Sequence, residues 1–193
     1  MQDSLMSDTA KEALELVERL HAYDSAEALS AEELARSWVG TSVGIAGVSV
    51  LIGAGEVEEV IETPAVTPIP GTKPWVMGVA AFKGGLLPVF SGDAMFRNQP
   101  YTGRVRDYTM VIRRPGVFFG ITLSHVERDL RLPIEDRIIE HEVDPDFAKF
   151  TLGGFKYRGE FLAVLDIDKL VADENISDVS AAKVSLIEGK NDE

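Results

Sequence analysis

EVEEVIETPAVTPIPGTKPWVMGVAAFKGGLLPVF, residues 56–90, is the stretch on which the fold turns. Val57, Val60 and Ile61 predict a short half-buried strand. Pro64, Pro68, Pro70 and Pro74 follow. Each proline fixes φ, removes a donor and disfavours helix in the residue before it, so the segment stays extended. Residues 75–82 predict a second strand and 86–90 a third. Lys83-Gly84-Gly85-Leu86 between them predicts a tight turn, because glycine accepts the positive φ of hairpin turns. The stretch contains no obvious catalytic group and reads as the builder of a surface.

Upstream, Val39, Val43 and Ile45 share one parity, which predicts a strand over 38–45 with one buried face. Ala46-Gly47 turns it into a second strand over 48–52. Gly53-Ala54-Gly55 lacks the third glycine, the Lys-Ser/Thr and the following helix of a phosphate loop, and predicts a turn or bulge. Residues 9–23 carry Ala13, Leu14, Leu16, Val17 and Leu20 at helical spacing, with Thr9 and Glu12 as a capping box. A second short helix is expected over 30–36, with Ser30 and Glu33 as its box. Their modest apolar stripes suit docking on the chain's own domain better than a free partner-binding arm.

Downstream, a short helix or turn is expected over 91–98, and the polar run 99–107 reads as a loop and subdomain boundary. Strands are expected over 108–113 and 117–126, joined by Arg114-Pro115-Gly116, with Phe119, Ile121 and Leu123 on one face. An extended segment to 134, a charged loop over 136–146 and a hairpin of 148–157 with 160–166 follow. Asp166 caps a closing helix over 166–172. Many short strands between Gly/Pro turns indicate a mainly β protein. The expected division is an N-terminal helical extension (1–36), a first barrel (37–98), a second barrel (107–172) and an acidic tail (173–193). No internal sequence repeat is visible at this level.

The chain has 193 residues, 45% of them hydrophobic, and a net charge of -13. The charge is uneven: -6 over residues 1–36, -4 over 173–193, and therefore -3 over the middle. Acidic ends around a nearly neutral centre argue against nucleic acid or an anionic membrane as partner. The absence of cysteine excludes disulfides, thiolate zinc sites and a cysteine nucleophile. No secretory signal and no membrane-spanning run is present, so a cytoplasmic protein without direct membrane insertion is expected. His21, His125 and His141 form no HxH, HExxH or HxxxH pair. The acids around His141 read as a solvated loop. No nucleophile elbow and no acid/base pair stands out, and no cofactor or metal is expected. Two function classes remain: a non-catalytic adaptor, and a small-ligand-binding or enzymatic β-barrel. Function is argued from sites, and the missing site favours the adaptor.

The run EEVIETPAVTPIPGTKPWVMGVAAFKGGLLPVF resembles the signature of CheW-like domains. With its long Pro-rich connection and N-terminal extension it is similar to their PilI type, found in type IV pilus chemosensory systems. The resemblance implies two five-stranded SH3-like β-barrels on a shared hydrophobic core. It also implies an adaptor without an active site. Its partners would be the regulatory domain of a CheA-type histidine kinase and the cytoplasmic tip of a chemoreceptor, in control of twitching motility. Val57, Glu59 and Val60 match the family's Val-x-Glu-Val/Ile strand, and Gly78 and Val79 its Gly-Val pair. Lys83 and Gly84 take the place of its Arg-Gly turn, and a lysine cannot reproduce a forked guanidinium contact. Ile69 lies in the Thr-Pro-Ile-Pro connection. Trp75 is either an interface anchor or a core residue, since large aromatics serve both. A bulky residue at Gly78 is expected to weaken partner binding without unfolding the domain.

Overall fold

The structure, a computed structural model, describes residues 36–174. The expected N-terminal helices and the acidic tail beyond Glu174 lie outside the described residues. The first half runs β1 (Ser37–Ile45), β2 (Val48–Gly53), β3 (Glu59–Glu62), β4 (Val76–Phe82), β5 (Gly85–Phe90) and helix α1 (Gly92–Phe96). The second half runs β6 (Tyr108–Arg114), β7 (Val117–Leu123), β8 (His125–Pro133), a 3-10 turn (Ile134–Asp136) and β9 (Arg137–Ile138). It continues with α2 (Pro145–Ala148), β10 (Thr151–Tyr157), β11 (Glu160–Leu165) and α3 (Ile167–Val171).

The protein is mainly β, with two mixed sheets that form SH3-like subdomains. One sheet has the order β8-β1-β2-β11-β10-β9 and the other β3-β6-β7-β5-β4. The loop over 99–107 is therefore not the boundary between barrels. Each sheet takes strands from both halves of the chain, and one has six strands because β9 adds to β10. The reason is long-range pairing. β2 runs parallel to β11 through Val50–Ala163 and Leu51–Val164, and β7 runs parallel to β5 through Gly120–Val89 and Ile121–Phe90. Parallel neighbours need a long crossover and leave no local trace in the sequence.

The two strand orders show that the loop separates two structural repeats. Each repeat is a hairpin, then a strand, then a second hairpin closed by a short helix. The hairpin β1–β2 completes the sheet of the second repeat, and β6–β7 completes that of the first. Registers agree residue for residue. Val79–Pro88, Ala80–Leu87 and Phe82–Gly85 recur 75 residues later as Gly154–Ala163, Phe155–Leu162 and Tyr157–Glu160. The turn Lys83-Gly84, with φ of 45° and 78°, recurs as Arg158-Gly159, with φ of 51° and 88°. Both have the positive φ pair of a type I′ hairpin turn.

Gly78 and its counterpart Gly153 show why this geometry holds. Thr67, kept extended by Pro68, gives its N–H to the Val79 carbonyl (2.8 Å) and accepts the Val79 N–H (2.9 Å). That bridge carries the chain leaving β3 to the outer side of β4, so the sheet curls back towards itself. Gly78 has φ +141°, and a Cβ there would lie 2.0 Å from the Thr67 carbonyl oxygen. In the second repeat β9 takes the place of Thr67, and a Cβ on Gly153 would lie 2.5 Å from the Ile138 carbonyl oxygen. Only glycine permits either approach.

Three apolar clusters fill the structure. Leu87, Val89 and Val111 fill one sheet's interior, and Leu51, Phe155 and Leu162 the other's. A larger shared core joins Val43, Ile45, Val50 and Ile52 to Phe90, Met110, Phe119, Ile121 and Leu123. The parity expected for Phe119, Ile121 and Leu123 is present, all at 1% exposure or less. The sheet interiors are occupied by the protein's own side chains, as in small barrels. The charged stretch 136–146 is not wholly a loop, because it contains β9 and the start of α2. Asp144 caps α2 by accepting from the Asp146 N–H, with Pro145 at the first helical position. That helix moves the start of the following strand from 148 to Thr151.

Gly78→Ala should lower stability by about 2–4 kcal/mol, since positive-φ strain and the lost bridge add. Gly84→Ala, with φ +78° and nothing within 4 Å, should cost about 1 kcal/mol. Chemical denaturation of both variants measures the difference. Fragments 36–98 and 99–174 should each lack a cooperative melt by circular dichroism. Mixed together they should regain it, because each holds the hairpin that the other's sheet needs.

Candidate partner-binding surfaces

Three of the residues singled out from the sequence meet at the β4–β5 turn. Lys83 forms ion pairs with Glu59 and, at 3.4 Å, with Glu58. Gly84 completes the turn and is exposed. Glu58 also accepts from Arg113 Nε at 2.5 Å. The hydrogen bond to Glu59 raises the Lys83 ammonium above its ordinary value, and the one from Arg113 holds Glu58 below the usual carboxylate value. Lys83 lies over the Phe82 ring at 5.0 Å and Arg113 over Phe118 at 3.9 Å, while the two rings are 6.0 Å apart. The result is a charge-neutral clamp on an aromatic pair. Beside it, Leu86 is 68% exposed. Glu58, Phe82, Arg113, Phe118 and Leu86 were missed from the sequence. Leu86 precedes the buried run from Leu87 to Phe90, and no alternation in β5 marks it as exposed.

The other singled-out residues do not line this surface. Val57 and Val60 are half-buried against the shared core. Gly78 and Val79 lie under the Thr67 bridge, so a bulky residue at Gly78 disrupts the fold, contrary to the sequence expectation. Ile69 is half-buried on the Pro-rich segment, and its carbonyl accepts from the Thr72 hydroxyl at 2.9 Å. Trp75 is a core residue, 4% exposed, set edge-on to Phe90 at 4.9 Å. Its edge still reaches the floor of an open cleft of about 280 Å³. Met95 and Asn98 after β5, and Asp146, Lys149 and Phe150 before β10, are among its other lining residues. The cleft thus lies where the two repeats meet.

Arg97 fixes one wall of that cleft. Its guanidinium donates to both Asp144 oxygens (2.8 and 2.9 Å), to Asp146 (2.7 Å) and to the Ala46 carbonyl (2.9 Å). This forked contact ties α1 to α2 and to the β1–β2 turn. The same turn gives the Ala46 N–H to Asp93 (2.8 Å), which also pairs with Arg106. The second repeat echoes the arrangement, with Asp168 holding Arg114 at the end of β6 (2.7 Å). The contact from Arg97 holds the Asp144 carboxyl below its ordinary value.

His125 and His141 are far apart in role: His141 stacks on Phe161 at 4.0 Å, and its Nδ1 lies 2.8 Å from the Glu142 carbonyl oxygen. Among the described residues no group of three or more His, Cys, Asp or Glu is placed to hold a metal ion, and no helix is long and apolar enough to cross a membrane. What the surface offers is a clamped hairpin tip and a half-apolar cleft.

The sequence profile of the CheW-like domain matches residues 40–175. The chain belongs to the CheW-like family. It is 30% identical over 104 residues to Protein PilI of Pseudomonas aeruginosa, a match covering 54% of this chain and 58% of that protein. The chain thus spans less than two thirds of PilI's length. It is 27% identical over 122 residues to the chemotaxis protein CheW of Thermotoga maritima, covering 63% of this chain and 80% of that one. The crystal structure of the scaffolding protein TtCheW from Thermoanaerobacter tengcongensis shares the fold, with a TM-score of 0.56 at 15% identity. That likeness covers 67% of this chain and 88% of TtCheW. The chain is thus a CheW-like protein with similarity to PilI and to CheW.

Asp144→Asn keeps the helix cap and removes the charge that faces Arg97. A depressed carboxyl contributes stability that is present above its ordinary value of 3.8 and is lost as pH falls through the lower folded-state value. The melting temperatures of the parent and the variant should therefore differ near neutral pH and converge in acid, as followed by scanning calorimetry against pH.

Proposed function

We propose that this chain is a non-catalytic cytoplasmic adaptor that couples a chemoreceptor to a CheA-type histidine kinase and acts in control of type IV pilus twitching motility. The observation that carries the reading is the β4–β5 tip. There Leu86 stands in solvent beside an aromatic pair held by Lys83 and Arg113. A neutral, rigid, partly apolar tip of this kind suits edge packing against the regulatory domain of the kinase, since buried apolar anchors dominate interface energy. The cleft between the repeats suits the helical tip of a receptor, because an amphipathic helix lays its apolar face into an apolar groove. Met95 and the edge of Trp75 would meet that face, and Lys149 and Asp146 would stand at its rim.

The names of the relatives suit the reading: Protein PilI, the chemotaxis protein CheW and the scaffolding protein TtCheW. The mixed-charge surface around the tip does not favour polyanions. Lys83 in place of a forked arginine makes the tip contact less directional, and Arg158 at the equivalent turn of the second repeat supplies a guanidinium instead, paired with Glu127 at 2.9 Å.

Co-purification with separate kinase and receptor fragments tests the assignment. Leu86→Arg should reduce capture of the kinase fragment about tenfold, the effect of roughly 1.4 kcal/mol at an interface anchor. It should leave receptor capture intact. Met95→Arg should do the reverse. Leu86→Arg should melt close to the parent, since the site is exposed, and Met95→Arg should melt lower but remain folded, since Met95 is half-buried against the shared core. Unchanged capture of both fragments by both variants would reject the surfaces.

A further inference from the structure

The cleft between the repeats is lined by the same positions of both. Trp75, Met95 and Asn98 come from the first repeat, and Phe150, Leu170 and Asp173, each 75 residues later, come from the second. The repeats exchange hairpins reciprocally, so a cleft lined by equivalent residues of both lies on the axis that relates them. At the same junction Phe96 of α1 stacks on Phe147 of α2, with 4.3 Å between ring centroids and 9° between ring planes. Stacked rings tolerate a range of offsets, so this contact alone lets α1 slide along α2.

Arg97 removes that freedom. It is the C-cap residue of α1, and its guanidinium bonds Asp144 twice, Asp146 once and the Ala46 carbonyl once. A planar fork that meets two carboxylates and a carbonyl together fixes both the distance and the angle between the elements that carry them. Arg97 is not among the residues that line the cleft, whereas Asp146, which it holds, is one of them. The strap is also absent from the plan that the repeats share. The C-cap residue of α3, 75 residues on, is Ala172, whose methyl group has no donor to offer. A one-sided strap across a cleft with two equivalent halves is additional to what the repeated fold requires.

We propose that Arg97 is a positioning residue for the receptor helix: it holds the cleft at the width the helix needs before the helix arrives. The inference rests on the reading of the cleft as the receptor site, and it names the group that prepares that site. A cleft that is competent only part of the time binds with an affinity reduced by that fraction. The loss falls on association, because the complex, once formed, keeps every contact made by the lining residues.

Full-length chain carrying R97K, which keeps the charge and loses the fork, is compared with the parent on immobilised receptor and kinase fragments. Association with the receptor fragment should slow about fivefold, as for a cleft that is competent one fifth of the time. Dissociation from it, and capture of the kinase fragment, should stay at the parent's values. D144N should slow association as well, and the double variant should be no slower than the slower single variant, because both changes act on one contact. Parent-like association of R97K, with M95R still losing receptor capture, would overturn the inference and leave the cleft reading standing. Receptor capture retained by M95R would remove the cleft reading and this inference with it. Faster dissociation of R97K at an unchanged association rate would overturn the inference by making Arg97 a direct contact. Loss of kinase capture along with receptor capture would overturn it by assigning Arg97 to the fold alone.

Discussion

Two carbonyl groups approach two glycines, and the rest of the structure depends on that approach. The Thr67 oxygen comes within 2.0 Å of where a Gly78 side chain would begin, and the Ile138 oxygen within 2.5 Å of the same point on Gly153. Each contact lets an extended segment pair with the outer side of a hairpin. Each also sits at a break in register, between Val76 and Gly78 in β4 and between Thr151 and Gly154 in β10. A bulge raises local twist, and twist is what curls a short sheet around its own interior. Pro68 next to Thr67 faces the opposite way and offers no N–H, which blunts the outer edge of the added segment.

The exchange of hairpins between repeats follows from where the apolar residues lie. β1–β2 and β6–β7 are buried on more than one side. Val43, Ile45, Val50 and Ile52 feed the shared core, while Leu51 feeds the interior of one sheet. A hairpin with apolar residues on both faces cannot sit at an exposed edge. It has to run through the middle of a sheet, and β2 and β7 do so beside their parallel partners β11 and β5. Neither repeat can then be completed from its own residues, which is why the described domain holds together as one unit from Trp38 onward.

What could be read from the sequence was local. Turn chemistry placed Lys83-Gly84 and Arg158-Gly159, and parity placed the buried face of β7. The cap expected at Asp166 accepts from the Lys169 N–H, as a short helix requires. What could not be read was partnership. Gly78, Gly84, Leu87, Val89 and Asp93 recur as Gly153, Gly159, Leu162, Val164 and Asp168, yet so sparse a pattern means little until the common register is known. Trp75 illustrates the same limit at the site. Its flanking prolines are equally compatible with a surface loop and with a lid on the core, and the edge-on contact with Phe90 is a tertiary fact. Asp144-Pro145 was the one local signal passed over, masked by the acids around it.

The electrostatics of the two hairpin tips show how duplication separates function from scaffold. Both tips carry a cation in the strained first turn position, lying over the aromatic residue before it, Phe82 or Tyr157. Both cations reach an acid across the sheet, Lys83 to Glu59 and Arg158 to Glu127. In both turns this set accompanies a non-glycine residue at positive φ, so it is common to the two repeats. The tips differ in what surrounds the set. The first adds Arg113 and Phe118 and leaves Leu86 bare, whereas the second places Phe161 at the position of Leu86 and covers it with His141. Where one repeat hides an apolar side chain and the other exposes it in the same frame, the exposed one is not required for folding. Leu86 stands out by that comparison, and it supports the tip as a place where the chain meets another protein.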